Sequence, residues 1–380
     1  MKRFVKRQNL LIVADSEHDA DMLYASRVFI PDPFIYLRLR GKCHLVVSES
    51  EHNRAVRQAK HCKVLSLFSY RHRLKRNHHG SSGFAEIIAA MLREKRLRSV
   101  DVPPSFPHGL AGELRRLKIR VRVRTGGIFP ERQIKSADEI KKLNGALMMA
   151  EVGLAEGLHA LKNSRIGRNR KLYYHNVPLT SEKLRSIINI AIIQAGGSAI
   201  HTIAAGGAQA CDPHEQGHGL LRAHEPIILD VFPRSQKTGY FGDITRTVVR
   251  GRASEGVRKL YHTVARAQNT AFDQLKSNVS GKKVHQAVTE VFEREGYKTG
   301  RRNGRMQGFF HGTGHGVGLQ IHETPRIAEN SSDILRSGHV VTVEPGLYYP
   351  GLGAVRLEDT AQITRHSARN LTKFEKMLEV

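Results

Sequence analysis

Four carboxylates interrupt segments that otherwise read as buried strands. Asp230 sits between Ile227-Ile228-Leu229 and Val231-Phe232, and Asp243 follows in Gly242-Asp243-Ile244-Thr245. Glu344 ends the run Val340-Val341-Thr342-Val343, and Glu358 follows in Val355-Arg356-Leu357-Glu358-Asp359. An ionised carboxylate inside an apolar strand costs several kcal/mol unless it is paired or holds a metal. The two aspartates lie on successive strands joined by a turn over Pro233 to Gly239, so they can face each other across one ladder. The glutamates repeat that layout around Gly346 to Gly353. Two hairpins, each presenting a carboxylate pair, converge on one pocket.

The surrounding pattern has room for such a pocket. At 380 residues the chain exceeds one ordinary domain. Residues 1–130 read as a small α/β domain. Ile35 to Arg40, Gly41-Lys42 and His44 to Val47 form a strand, tight turn and strand; Gly83 to Leu97 has a helical rhythm; Val100 to Val102 and Ile119 to Val123 are further strands. Arg124 to Pro130, with Gly126-Gly127, marks the boundary. Residues 131–380 form the second domain, opened by a capping box at Ser136 and Glu139. A second helix starts at Thr180-Ser181-Glu182, and strands follow over Pro226 to Phe232 and Tyr240 to Val249. Helices over Ser254 to Leu275 and Gly281 to Glu295 then precede strands over Val340 to Val343 and Ala354 to Thr364. Helix, helix, hairpin thus occurs twice, which points to internal duplication.

Composition narrows the partners. With 61 Lys+Arg against 35 Asp+Glu the formal charge is +26, an excess concentrated in the first third. Such a balance favours nucleic acid or an anionic surface as an ancillary electrostatic partner. The basic residues cluster at Arg71 to Arg76, Arg93 to Arg98 and Arg115 to Arg124, where Arg120, Arg122 and Arg124 alternate like the solvent face of a strand. No run approaches the ~18 apolar residues of a spanning helix, and Leu10 to Ala14 is too short for a signal segment. Cys43, Cys62 and Cys211 form no framework and no CxxC, so the expectation is a reduced, cytoplasmic protein. Cys211 reads as a buried filler rather than a nucleophile, and His72, His78 and His79 as a solvated basic loop.

The chemistry has a second cluster, His311-Gly312-Thr313-Gly314-His315-Gly316-Val317-Gly318, followed by His322-Glu323-Thr324-Pro325. Its glycines let backbone approach a ligand closely. The run lacks the Lys-Ser/Thr context of a phosphate loop. An imidazole among carboxylates suits Mn, Co, Zn or Fe in a two-metal site rather than a thiolate structural zinc.

Together these strings resemble the pita-bread metallopeptidases, the group of methionine aminopeptidase, Xaa-Pro aminopeptidase, prolidase and creatinase. The shared strings are Ile-Leu-Asp230-Val-Phe, Asp243-Ile-Thr-Arg, Gly-His315-Gly-Val-Gly, Val-Glu344-Pro-Gly-Leu, Val-Arg356-Leu-Glu358-Asp and the upstream Asp212-Pro213-His214. The resemblance implies an α+β architecture: a C-terminal pita-bread fold, with duplicated halves around a curved, mostly antiparallel sheet, behind a creatinase-like N-terminal domain. It also implies two divalent ions, manganese first, on Asp230, Asp243, His315, Glu344 and Glu358. A metal-bridging hydroxide would attack, with Glu344 as general base. His214 and His322 would hold the scissile carbonyl or its oxyanion, His311 and Arg356 would contact substrate unless Arg356 simply pairs with a carboxylate, and Thr245 would support the ligands from behind. The appended domain and His-Gly-x-x-His favour the Xaa-Pro branch over methionine aminopeptidase, with an Xaa-Pro aminopeptidase as the first expectation. The alternatives are an Xaa-Pro dipeptidase (prolidase) and, in another class, a basic binding protein that keeps the fold for recognising nucleic acid or protein. A homodimer or homotetramer is implied by the same resemblance.

Overall fold

The computed structural model describes residues 9–77 and 83–380, so His78 and His79 lie outside the described residues. The chain divides into two compact units between Arg132 and Gln133.

The first unit is built on one mixed sheet. Strands β1 (Leu10–Ala14), β2 (Phe34–Leu39), β3 (Lys42–Val47), β4 (Lys63–Ser66), β5 (Ser99–Val102) and β6 (Arg120–Val123) pair in the order β4-β3-β2-β1-β5-β6. The β2–β3 hairpin turns at Arg40 and Gly41, both at positive φ (48° and 84°), as a tight two-residue turn requires. Alternation along β1 sends Leu10 and Ile12 to one face and Leu11 and Val13 to the other. Helices α1 (Ala20–Ser26) and α2 (Glu49–Gln58) close the first face through Met22, Ala25 and Ala55. Helices α3 (Leu67–Asn77), α4 (Phe84–Glu94) and α5 (His108–Arg116) close the second through Leu74, Ile88, Leu92 and Leu114.

Two expectations are corrected here. His72 is exposed on α3, stacked on Phe68, rather than in a loop. Cys43 and Cys62 are joined in a disulfide instead of remaining reduced. The parallel register pairs His44 with Lys63, which sets Cys43 beside Cys62 with Cα atoms 4.6 Å apart. That proximity comes from strand order, which a separation of 19 residues does not announce.

The second unit opens with α6 (Ala137–Lys162), where Ser136 and Glu139 form the reciprocal capping box. It packs on α7 (Ser181–Gln194) at Gly153 and Gly157, where a Cβ would lie 2.7–2.8 Å from Ile192 and Ile188 side-chain carbons. A three-stranded sheet follows, β7 (Ile203–Gly206), β8 (Pro226–Val231) and β9 (Ile244–Val249), in the order β7-β8-β9. The order then recurs with α8 (Glu255–Gln274) and α9 (Gly281–Arg294). Strands β10 (Gly314–Gly316), β11 (Glu323–Ile327), β12 (Val340–Val343), β13 (Gly346–Tyr349), β14 (Gly353–Arg356), β15 (Asp359–Ile363) and β16 (Ala368–Asn370) follow. Five of them form a sheet in the order β11-β10-β12-β15-β16, while β13 and β14 pair separately. Every pairing of these strands is antiparallel. The two sheets join where the Glu358 N–H donates to the Thr245 carbonyl at 3.0 Å. The class is therefore α+β, with helix–helix–sheet occurring twice. Among the described residues no helix is long and apolar enough to cross a membrane.

Candidate metal centre

The carboxylates reach one another by different routes. In the first hairpin Asp230 faces Thr245, and Asp243 lies just before β9, so the aspartates are diagonal rather than opposite. In the second, Val343 pairs with Asp359 and Gly346 with Arg356. The same register puts Glu344 opposite Glu358, in the gap between the two ladders. His315 comes from β10, the neighbour of β12. Gly314 and Gly316 flank it because a Cβ on either would strike the backbone carbonyl of Thr342 or Thr324. The glycines thus answer to neighbouring strands, not to a ligand as the sequence alone indicated.

Asp230, Asp243, His315 and Glu358 are all at most 9% exposed. Donor atoms of Asp243, His315 and Glu358 lie within 4.8 Å of one another. His315 Nε2 is 3.2 Å from Glu344 Oε1 and 3.7 Å from Asp243 Oδ2. Its Nδ1 is 3.1 Å from the Gly316 carbonyl, which can only accept, so Nδ1 carries the proton and Nε2 faces the carboxylates. Burial opposes protonation of His315, but Glu344 and Asp243 outweigh it and raise its pKa. Burial alone would raise Glu344; the hydrogen bond and charge of His315, with His311 and Arg356 beyond, bring it down to about 2. Asp230 is raised by burial, and Asp243 and Glu358 well above the carboxylate range by burial and by neighbouring carboxylates.

One hydroxyl shows how closely the carboxylates crowd. Thr245 Oγ1 lies 2.9 Å from Asp230 Oδ1 and 2.7 Å from Glu358 Oε2, yet it has a single hydrogen to donate. Four carboxylates thus gather around one guanidinium, Arg356, and one imidazole, His315. Oxygen donors with one imidazole and a surplus of negative charge fit divalent cations of the Mn, Co, Zn or Fe type.

Behind the carboxylates runs a guanidinium-centred network. Arg356 donates to Asp230 Oδ2 at 2.7 Å, to the Tyr348 hydroxyl at 3.1 Å and to the Pro213 carbonyl at 3.3 Å. Tyr348 then meets His311 Nε2 at 2.8 Å. The Gly312 carbonyl lies 2.8 Å from His311 Nδ1, so the Tyr348 hydroxyl is the donor in that pair. Burial lowers His311 to about 4. Arg356 and His311 are thereby engaged with protein groups while both also line the cavity, and the Asp230 pairing is the carboxylate contact that was the alternative reading of Arg356.

The five candidate ligands, with His311 and Arg356, line a cavity of about 720 Å³. His322 stands over His315 with ring centroids 4.4 Å apart; loss of water, then His315 and Arg326, lower it to about 4. His214 is exposed at the wall, its N–H bonded to Asp212 Oδ1. Cys211 is half-buried and free, its thiol pushed up to about 11 by burial, which leaves it protonated.

Three residues escape the sequence reading. Tyr348 is hidden in an ordinary apolar strand. Glu323 is buried against Lys135 Nζ at 2.9 Å, 188 positions away. Arg326 lines the cavity, exposed, and pairs in register with His315. Counting by twos from His322 along the following strand would have found it.

Residues 146–365 match the model of metallopeptidase family M24. The chain is 28% identical over 285 residues to an Xaa-Pro dipeptidase of Pyrococcus horikoshii, covering 74% of this chain and 75% of that protein. The structure superposes on the X-Pro aminopeptidase of Thermotoga maritima with a TM-score of 0.83 at 20% identity, over 100% and 99% of the two chains. On the prolidase of Pyrococcus furiosus it gives 0.78 at 23% identity, over 97% of each chain. These likenesses establish the pita-bread fold.

Proposed function

The chain belongs to metallopeptidase family M24, and on that footing we propose that it is a metal-dependent Xaa-Pro exopeptidase. It would hydrolyse the bond between an N-terminal residue and a following proline. The observation that carries this reading is the gathering of Asp230, Asp243, His315, Glu344 and Glu358 on one cavity with too few counter-charges. They would hold two divalent ions, manganese the first expectation. Such ions supply Lewis acidity and make water nucleophilic near neutral pH.

The residues divide the remaining work. Glu344, ionised at any working pH, accepts the proton of the attacking water and passes it to the departing nitrogen. His322, neutral above about pH 4, can donate a ring N–H to the scissile carbonyl from one side, with His214 on the same wall. Arg356 and Thr245 hold Asp230 and Glu358 in place.

Dipeptide restriction is favoured by Arg326. Its guanidinium makes no ion pair among the described residues, so it can receive the free carboxylate of an Xaa-Pro dipeptide. Hydrolysis of Ala-Pro, Ala-Pro-Ala and a longer Ala-Pro peptide by manganese-loaded protein decides between the two branches. Cleavage of the dipeptide alone, with a raised KM in Arg326→Gln, identifies a dipeptidase. Cleavage of all three identifies an aminopeptidase, and cleavage of none rejects the proposal.

A further inference from the structure

The metal centre leaves the basic surface of the first unit unexplained. Residues 71–76, 93–98 and 115–120 each contain four Lys or Arg, all exposed, with Glu94 the single acid among them. Tertiary structure merges these separate stretches into one belt. Arg73 reaches Glu94 at 2.5 Å, Arg93 donates to the Leu117 carbonyl at 3.1 Å, and the Arg120 N–H donates to the Arg98 carbonyl at 2.8 Å. The ends of α4 and α5 and the middle of α3 therefore lie side by side on the face of the sheet that α3, α4 and α5 cover. Interaction with helix C-termini accounts for Arg93, Arg115 and Arg116, which sit in last turns. It does not account for Lys95, Arg96, Arg98, Lys118 or Arg120, which lie beyond them.

We propose that this belt binds the phosphodiester backbone of nucleic acid. Nine of the twelve cations are arginines, whose planar guanidinium pairs with phosphate through two hydrogen bonds. Beside them Phe68 is 65% exposed and stacks on His72, a platform on which an unpaired base can rest. A second copy of the chain fits less well, because residues 133–380 are themselves net positive, with 34 Lys+Arg against 23 Asp+Glu. A membrane surface fits less well, since among the described residues of 67–124 the large apolar side chains exposed are Phe68 and Val123, too few for an inserting face.

The test is fluorescence anisotropy of the manganese-loaded full chain with labelled single-stranded and duplex oligonucleotides of about 20 nucleotides, from about 50 to 300 mM salt. The belt variant Arg96→Glu/Arg98→Glu/Lys118→Glu is compared with a control of equal charge change on α9, Lys282→Glu/Lys283→Glu/Arg294→Glu. Expected are binding that weakens steeply with salt, a loss of about tenfold or more in the belt variant and under about threefold in the control. Unchanged peptide hydrolysis in the belt variant verifies its folding. Equal losses in both variants, or no binding at the lowest salt, overturn the proposal. So does belt-dependent binding to phosphatidylserine vesicles that is tighter than to either oligonucleotide.

Discussion

Lys135 and Glu323 form an ion pair that is inside the protein at both ends: their side chains are 1% and 7% exposed, with Nζ 2.9 Å from Oε2. Glu323 follows His322 directly, its Oε1 accepts from the Gln320 N–H at 3.1 Å, and a Cβ on Gly318 would meet its carboxylate at 2.7 Å. The carboxylate therefore has no room to turn toward water. Lys135→Met removes the ammonium and leaves the charge buried, which costs about 3–5 kcal/mol. For a unit of this size each kcal/mol moves the melting temperature by about 2–4 °C, so a fall on the order of 10 °C is expected. Scanning calorimetry of the full chain measures it, and the second unit's transition is expected to be the one that added Mn(II) raises. In Lys135→Met/Glu323→Gln the charge is gone while the side-chain carbonyl still accepts from Gln320, and at least half of the loss should return. A single variant melting within about 2 °C of the parent would falsify the reasoning, as would a double variant no better than the single.

Glu344→Gln should fold normally and lose about 10²–10⁴ in kcat, measured on whichever Xaa-Pro peptide the parent cleaves. Arg356→Lys keeps a charge but cannot span Asp230, Tyr348 and Pro213 together; a drop of about 10–100-fold in metal affinity, read by competition with a chelating dye, is expected. Asp230, Asp243 and Glu358 have folded pKa values raised above their unfolded ones. The metal-free protein therefore takes up protons on folding and loses stability as pH rises through those folded values. The increase in melting temperature on adding Mn(II) should grow from about pH 5 to about pH 8, and a flat or shrinking increase contradicts the carboxylate assignment. In the first unit, Cys43→Ser opens a bridge spanning 19 positions and should cost about 3 kcal/mol in urea denaturation, with no change in peptide hydrolysis.

Local code was sufficient for much of this molecule. The Ser136 capping box, the Arg40-Gly41 turn and the apolar rhythms of α4, α8 and α9 act over a few residues, so their outcome is written where they stand. The same holds for the candidate ligands, because a carboxylate inside Ile-Ile-Leu-Asp-Val-Phe is anomalous in its own neighbourhood. Register was less legible. That Asp230 faces Thr245 while Glu344 faces Glu358 depends on where ladders break, which is settled by strand pairing between distant segments. Two further features were beyond sequence reading for the same reason. Lys135 and Glu323 meet across 188 positions, and Cys43 and Cys62 are brought together by strand order; for Arg356 a carboxylate partner was foreseeable, but not that it is Asp230 with Tyr348 beside it. Buried polar groups must find partners in the dense interior, and the partner is whichever group the fold brings near. The sequence by itself determined which carboxylates and histidines are candidate donors, where the basic stretches lie and the repeated helix–helix–hairpin order of the second unit. Tertiary structure alone decided which donors touch, how their protons are shared and that three separate basic stretches become one surface, because charge and hydrogen bonding act through space rather than along the chain.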